Sequence, residues 1–248
     1  MPDYDLRLWR KPEENKIYAI GGDPAEGLAH GDDTVLEVFC VDDGEQVFEA
    51  QGKIDPMAGA EIAFMLGTWY NNALVCIENN KDGGMNRILF ELGYRNIYYQ
   101  MRDDGKAISG MTQKLGFNTN IRTRAQLITL SKNYVQDGSV TIRSEFLLAQ
   151  MEVFGLEGGK FQAIAGAHDD VVMSFLLCME SFRMQLLHAI GRTNHLNPLW
   201  EGQEVSEGYE DLDVIDRQGM TDRLIEQSKH RNKQPADQQV VSSVGALI

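Results

Sequence analysis

Cysteine is scarce in this chain, at 3 of 248 residues. Cys40, Cys76 and Cys178 lie far apart in apolar runs, and no CxxC or Cys/His zinc spacing occurs. That excludes a zinc module, and an odd number of thiols in apolar surroundings fits a reducing, cytoplasm-like compartment. Long apolar runs are missing too. The longest near-continuous one, Val171 to Met179, is interrupted by Ser174 and falls far short of the roughly 20 residues a membrane helix needs. The first residues, Met1 to Lys16, are charged and lack an apolar signal core. Bases are outnumbered, with 23 Lys and Arg against 37 Asp and Glu, for a net charge of −14. That argues against a non-specific nucleic-acid coat, which would be basic. It leaves open an enzyme that holds metal ions with clustered carboxylates.

What is present is an ordinary globular composition, 43% apolar and 24% charged. Wholesale disorder and collagen-like structure are excluded. The length suits one large domain, or a domain and a tail, with a sizeable core.

Hydrophobic patterning predicts a strand over Ile17–Asp23, a polar loop over Pro24–Asp33, and a second strand over Thr34–Val41. The turn Asp42-Asp43-Gly44 leads into a third strand over Gln46–Ile54. Three consecutive antiparallel strands follow from this. Asp55-Pro56 starts a helix reaching about Tyr70, since Asp caps helices and Pro suits their first position. Ala73–Glu78 reads as a compact strand, Met85–Leu92 as a helix ended by Gly93, and Ile97–Tyr99 as another strand. Arg102–Thr119 is polar and glycine-interrupted, a long loop or extra hairpin. Helices are predicted over Arg122–Val135 and Glu145–Phe154, a strand over Phe161–Ala165, and an apolar helix from Val171 to about His188. No internal repeat is found. The economical packing is an α/β fold with a mixed sheet and helices on both faces. Three regions are expected: a linker over 1–16, a domain over 17–190 and an acidic, largely flexible tail over 191–248. Residues 201–248 carry ten acids against five bases and show no buried face.

Three acidic positions stand out by placement. Asp23 closes the first predicted strand, Glu78 closes the fourth, and Asp169-Asp170 opens the last helix. Each has an ordinary structural explanation, as a turn former or as an acid at a helix start. If the first and fourth strands are neighbours, however, Asp23 and Glu78 stand side by side at the sheet end. The last helix can then bring Asp169 and Asp170 to them. Carboxylates so close repel each other, and a divalent cation relieves the repulsion. Oxygen ligands without cysteine favour Mg²⁺ or Mn²⁺ over Zn²⁺, and two such ions suit phosphodiester hydrolysis.

Around these residues lie Gly22-Asp23-Pro24-Ala25-Glu26-Gly27 with Gly31-Asp32-Asp33-Thr34, Val75-Cys76-Ile77-Glu78-Asn79-Asn80 with Gly83, and Gly166-Ala167-His168-Asp169-Asp170-Val171-Val172-Met173. Together they resemble the three acidic motifs of the RNase H-like nuclease domain in the large terminase subunit of tailed double-stranded DNA bacteriophages. Lys114–Arg124 is similar to a segment between the second and third motifs, and the resemblance spans roughly Tyr18 to Ser181. It implies an RNase H-like fold whose first three strands are antiparallel. It also implies an endonuclease that cuts viral DNA concatemers during genome packaging, using two Mg²⁺ or Mn²⁺ ions. By motif, Asp23 resembles the central metal ligand, Glu78 the second, and Asp169 or Asp170 the third; the choice within that pair stays open. Expected partners are double-stranded DNA, a terminase ATPase domain, the small terminase subunit and the portal or procapsid. No membrane is expected, and the setting is the host cytoplasm during infection. The family's subunit carries an ATPase, yet no GxxxxGK[ST] phosphate loop occurs here. The chain is therefore expected to be an excised domain or the nuclease part of a larger motor, without ATPase activity of its own. Alternatives are another RNase H-like nuclease, such as a Holliday-junction resolvase, or a capsid-docking module with little cleavage.

Charge is distributed unevenly. From Met85 to Lys132 eight bases (Arg87, Arg95, Arg102, Lys106, Lys114, Arg122, Arg124 and Lys132) face three acids. Phosphate contacts need such a local patch rather than a global excess. Arg102, Lys106, Lys114, Arg122, Arg124 and Lys132 are the candidate DNA-binding residues. His168, Asp33 and Asn79 are candidates for supporting the metal ligands from behind.

Overall fold

In this computed structural model, residues 4–79, 84–99, 114–157, 160–163 and 168–189 are described. A five-stranded sheet runs in the order β1(Tyr4–Leu8), β4(Gln46–Gly52), β3(Thr34–Cys40), β2(Tyr18–Asp23), β5(Leu74–Ile77). β2, β3 and β4 form the expected antiparallel meander, and β5 joins β2 in parallel. The first predicted and fourth predicted strands are thus hydrogen-bonded neighbours.

Alternation along the strands divides the sheet into two faces. Ile20, Leu36, Val38, Phe48, Ala50, Val75 and Ile77 point to one face, with helices α1(Pro56–Trp69) and α2(Gly84–Glu91). Ala19, Val35, Phe39 and Cys76 point to the other, with α3(Ile121–Gln136), α4(Glu145–Glu152) and α5(Asp170–Ala189). Helices cover both faces, as the patterning predicts. The starts follow capping chemistry. The Asp55 carboxylate accepts from the Met57 and Ala58 amides ahead of α1, and Asn120 and Thr123 form a capping box at α3. Ser144 caps α4. No described helix is long and apolar enough to cross a membrane.

Three local readings are corrected. Tyr4–Leu8, expected within a linker, is an edge strand paired to β4. Tyr4, Leu6 and Leu8 pack on the α1 side, while Arg7 pairs with the buried Glu49 carboxylate. Ile97–Tyr99, expected as a strand, makes only isolated bridges, from Ile97 to Val75 and from Tyr99 to Leu115. The helix expected to reach Phe154 stops at Glu152, because Phe154–Glu157 forms β6, which pairs with β7(Lys160–Ala163) in a separate hairpin. The expected tail lies outside the described residues.

α5 sets the position of the candidate site. Ser174, Cys178 and Ser181 recur at helical spacing and donate to backbone carbonyls of the sheet: Ser174 to Gly21, Cys178 to Ala19 and Ser181 to Leu74. Small side chains let the helix lie directly on β2. Gly21 completes the fit: a Cβ there would lie 2.6 Å from Cys178 Cα and closer still to the Ser174 carbonyl and the Cys178 amide. α5 is thereby held along β2, with its first turn at the end where Asp23 emerges.

Candidate metal centre

The parallel register pairs Gly22 with Ile77, so the next residues, Asp23 and Glu78, leave adjacent strands together. The Glu78 amide donates to the Gly22 carbonyl at 2.9 Å, which fixes that pairing up to the acids. Beyond Glu78 the chain is held by the Lys114–Phe117 stretch. Phe117 donates to the Ile77 carbonyl at 2.9 Å and Asn79 donates to the Phe117 carbonyl at 2.8 Å. Gly116 has φ +80, which glycine adopts without strain, and packs against the Ile77 carbonyl and the buried Asn86 side chain. Asn86 donates to the Glu78 carbonyl at 3.2 Å.

Asp169 and Asp170 arrive on α5. The Asp169 carbonyl accepts from the Met173 amide at 2.8 Å, so α5 starts at the pair. The Gln150 side chain of α4 accepts from the Val171 and Val172 amides, satisfying donors that the helix start leaves open. Asp170 is buried, and its Oδ2 accepts from the Asp33 amide at 3.0 Å.

These carboxylates feel one another. Burial, and then the charges of Glu78, Asp170 and Asp169, push the Asp23 carboxyl well above the usual carboxylate range, while the Arg124 guanidinium opposes them. Asp170 is raised as well, first by burial, and the Asp33 amide works against that. Such a set is poor at holding negative charge alone and well suited to holding it around a cation. The donors are carboxylate oxygens with one nearby imidazole and no thiol, which fits a hard divalent ion.

Of the residues singled out from the sequence, Glu78, Asp170 and Asp169 lie near enough to Asp23 for their charges to raise its carboxyl. Asn79 follows Glu78 at the loop start. Asp33 supports Asp170 through its backbone. His168 is exposed; its Nδ1 lies 3.8 Å from Asp170 Oδ2 and 3.9 Å from Asp32 Oδ1. The ligand atoms of Asp32, His168 and Asp170 all fall within 4.8 Å of one another.

The basic candidates separate. Arg124 is at the site: its Nη1 donates to Asp169 Oδ2 at 3.2 Å and to the Phe161 carbonyl at 2.8 Å. Lys114 and Arg122 are exposed, Arg122 lining a shallow groove on α3 with Gln126 and Asn133, and Lys132 is partly buried on that helix. Arg102 and Lys106 lie outside the described residues. The sequence reading missed Gln150 and Asp32, and also Lys53, whose ammonium lies 2.6 Å from Asp33 Oδ1. The doublet Asp32-Asp33 was the available signal for Asp32; nothing local marks Gln150 or Lys53.

No protein-family model matches the chain, and no curated protein is significantly similar to it in sequence. Solved structures are similar in fold. The large terminase nuclease from thermophilic phage G20c matches with a TM-score of 0.55 at 17% identity, over 71% of this chain and 87% of that one. The same nuclease with bound magnesium gives 0.56 at 17% identity, over 71% and 86%. The Thermus phage P74-26 large terminase nuclease domain gives 0.54 at 18% identity, over 70% and 83%. Structures of the G20c nuclease with bound cobalt and with bound zinc match as well. The chain thus has the RNase H-like fold of large terminase nuclease domains.

Proposed function

We propose that this protein is a divalent-metal-dependent endonuclease that cleaves double-stranded DNA, acting as the nuclease of a phage large terminase on concatemers during genome packaging. The observation that carries this reading is that Asp23 and Glu78 leave adjacent parallel strands at one end of the sheet, with Asp169 and Asp170 near enough for their charges to act on Asp23, in a fold shared with terminase nucleases. One of those nucleases holds magnesium. The proposed ligands are these four carboxylates, with Asp23 central, for two Mg²⁺ or Mn²⁺ ions. Bound there, the ions would ease deprotonation of the attacking water and offset charge on the phosphate.

The chain's own groups supply position. β2 and β5 fix Asp23 and Glu78 through backbone pairing, which leaves little freedom to spread apart. α5 brings the other acids on a helix that Gly21 admits close to the sheet. Arg124 ties α3, the β6–β7 hairpin and Asp169 together and keeps a cation beside the acids, where it can meet a phosphate. The function places this chain beside an ATPase domain, the small terminase subunit and the portal in the host cytoplasm.

Supercoiled plasmid offered with EDTA, Mg²⁺ or Mn²⁺ tests the activity. Cleavage that requires Mg²⁺ or Mn²⁺ and prefers linear duplex over four-way junctions supports the proposal. A preference for junctions makes the protein a resolvase, and no cleavage by folded protein overturns the enzyme reading.

Arg124 gives a separate prediction. Arg124→Ala should lower cleavage about tenfold or more and reduce the slope of log K against log salt by about 1, as one phosphate contact is lost. DNA binding measured across salt concentrations checks it; an unchanged slope places Arg124 off the DNA.

A further inference from the structure

Asp33 makes two kinds of contact that face different ways. Its amide donates to the metal-ligand candidate Asp170. Its carboxylate is fully engaged at the far end of β4: Oδ1 lies 2.6 Å from Lys53 Nζ, and Oδ2 accepts from Gln51 Nε2 at 3.1 Å. Lys53 also donates to the Gly31 carbonyl at 2.7 Å. One ammonium therefore ties two points of the loop between β2 and β3. The next residues strengthen the tie. Thr34 Oγ1 donates to the Ile54 carbonyl at 2.7 Å and accepts from the Ala25 amide at 2.8 Å. The loop that follows Asp23 is thus moored to the end of β4, and the mooring ends in the amide that holds Asp170.

We infer that Lys53 is a positioning residue for the metal centre: through Asp33 it holds the backbone amide that orients the Asp170 carboxylate toward a divalent cation. The inference rests on the metal-centre reading above. Carboxylates that bind metals are themselves held by hydrogen bonds, and losing such a support typically costs about 10–100-fold in metal affinity or activity. A partly exposed ion pair adds little to global stability. Metal affinity and folding stability should therefore respond differently when Lys53 is replaced.

The test uses the full chain and two readouts. Mn²⁺ binding is followed by electron paramagnetic resonance, and plasmid cleavage is measured as a function of Mg²⁺. Lys53→Met should weaken Mn²⁺ binding about tenfold and raise the half-saturating Mg²⁺ by a similar factor. The rate at saturating Mg²⁺ should stay close to that of the wild type. Lys53→Arg should recover most of the loss. Asp33→Asn breaks the same tie, serves where Lys53→Met does not fold, and should add nothing to Lys53→Met in the double variant. Unchanged Mn²⁺ affinity in both single variants overturns the inference. So does a fall in maximal rate or melting temperature with Mn²⁺ affinity intact. If the wild type binds Mn²⁺ in a manner that Asp23→Asn abolishes, and Lys53→Met matches the wild type, only the positioning role falls. If the wild type shows no Asp23-dependent Mn²⁺ binding, the metal centre itself falls, and the role of Lys53 with it.

Discussion

Replacing Asp23 by Asn should lower DNA cleavage about a thousandfold, equivalent to about 4 kcal/mol of barrier, while making the metal-free protein more stable. Both effects have one cause. The Asp23 carboxyl is held well above its ordinary range by burial first and then by the charges of Glu78, Asp170 and Asp169. A carboxyl raised in the folded state stabilises the fold while protonated and loses that contribution as pH rises through its folded value. Glu37 and Glu49 behave alike. They face each other across β3 and β4, both buried, and burial is the largest cause of the rise in each. In EDTA the wild type should therefore lose stability as pH climbs above the usual carboxylate range. Asp23→Asn should lose less, so the gap in melting temperature between the two widens with pH. Excess Mg²⁺ should stabilise the wild type and not the variant. Thermal melts across pH, with and without Mg²⁺, check this; a variant less stable than the wild type in EDTA at neutral pH contradicts it.

The second large effect lies in the packing beneath the site. Gly21→Ala should destabilise the protein by about 3 kcal/mol or more, and lower the melting temperature by about 6–12 °C. The added Cβ meets backbone atoms of α5, the Ser174 carbonyl and the Cys178 amide, rather than a side chain that can turn aside. α5 must move away from β2, and Asp169 and Asp170 move with it. Cleavage should therefore fall even at temperatures where the variant stays folded. Gly155→Ala is the control: nothing lies within 4 Å of a Cβ built there, so stability should change by less than about 0.5 kcal/mol. Equal melting temperatures for Gly21→Ala and the wild type would show that α5 does not rest on β2 as described.

Much of this arrangement is legible in the sequence, for reasons that differ by element. The meander is legible because Thr34–Cys40 and Gln46–Gly52 flank a turn-forming Asp-Asp-Gly. Asp23 and Glu78 are legible because each ends a short apolar run, and such a run emerges from the core at the end of a strand. α5 announces itself by its length and nearly continuous apolar character. Other features depend on partners distant in sequence. β1 alternates apolar and charged residues, but Arg7 makes sense inside only once Glu49 is known to be buried beside it. Glu37 lies in the middle of a strand and looks like a solvent-facing residue, yet α5 covers it. Neither of its carboxylate oxygens meets a hydrogen-bond partner among the described residues. Arg124 is recognisable as basic, but its pairing with Asp169 requires α3 to cross toward the start of α5. Lys53 is an ordinary lysine at a strand end until the loop folds back to Asp33.

The central claim is that Asp23, Glu78 and the Asp169-Asp170 pair form one divalent-metal centre. Anomalous diffraction from crystals of the full chain soaked in Mn²⁺ tests it most directly. The account predicts Mn²⁺ peaks among these carboxylates, with Asp23 and Glu78 both among the ligands and at least one of Asp169 and Asp170 completing the set. Crystals that take up Mn²⁺ elsewhere and leave these four side chains without it would contradict the account.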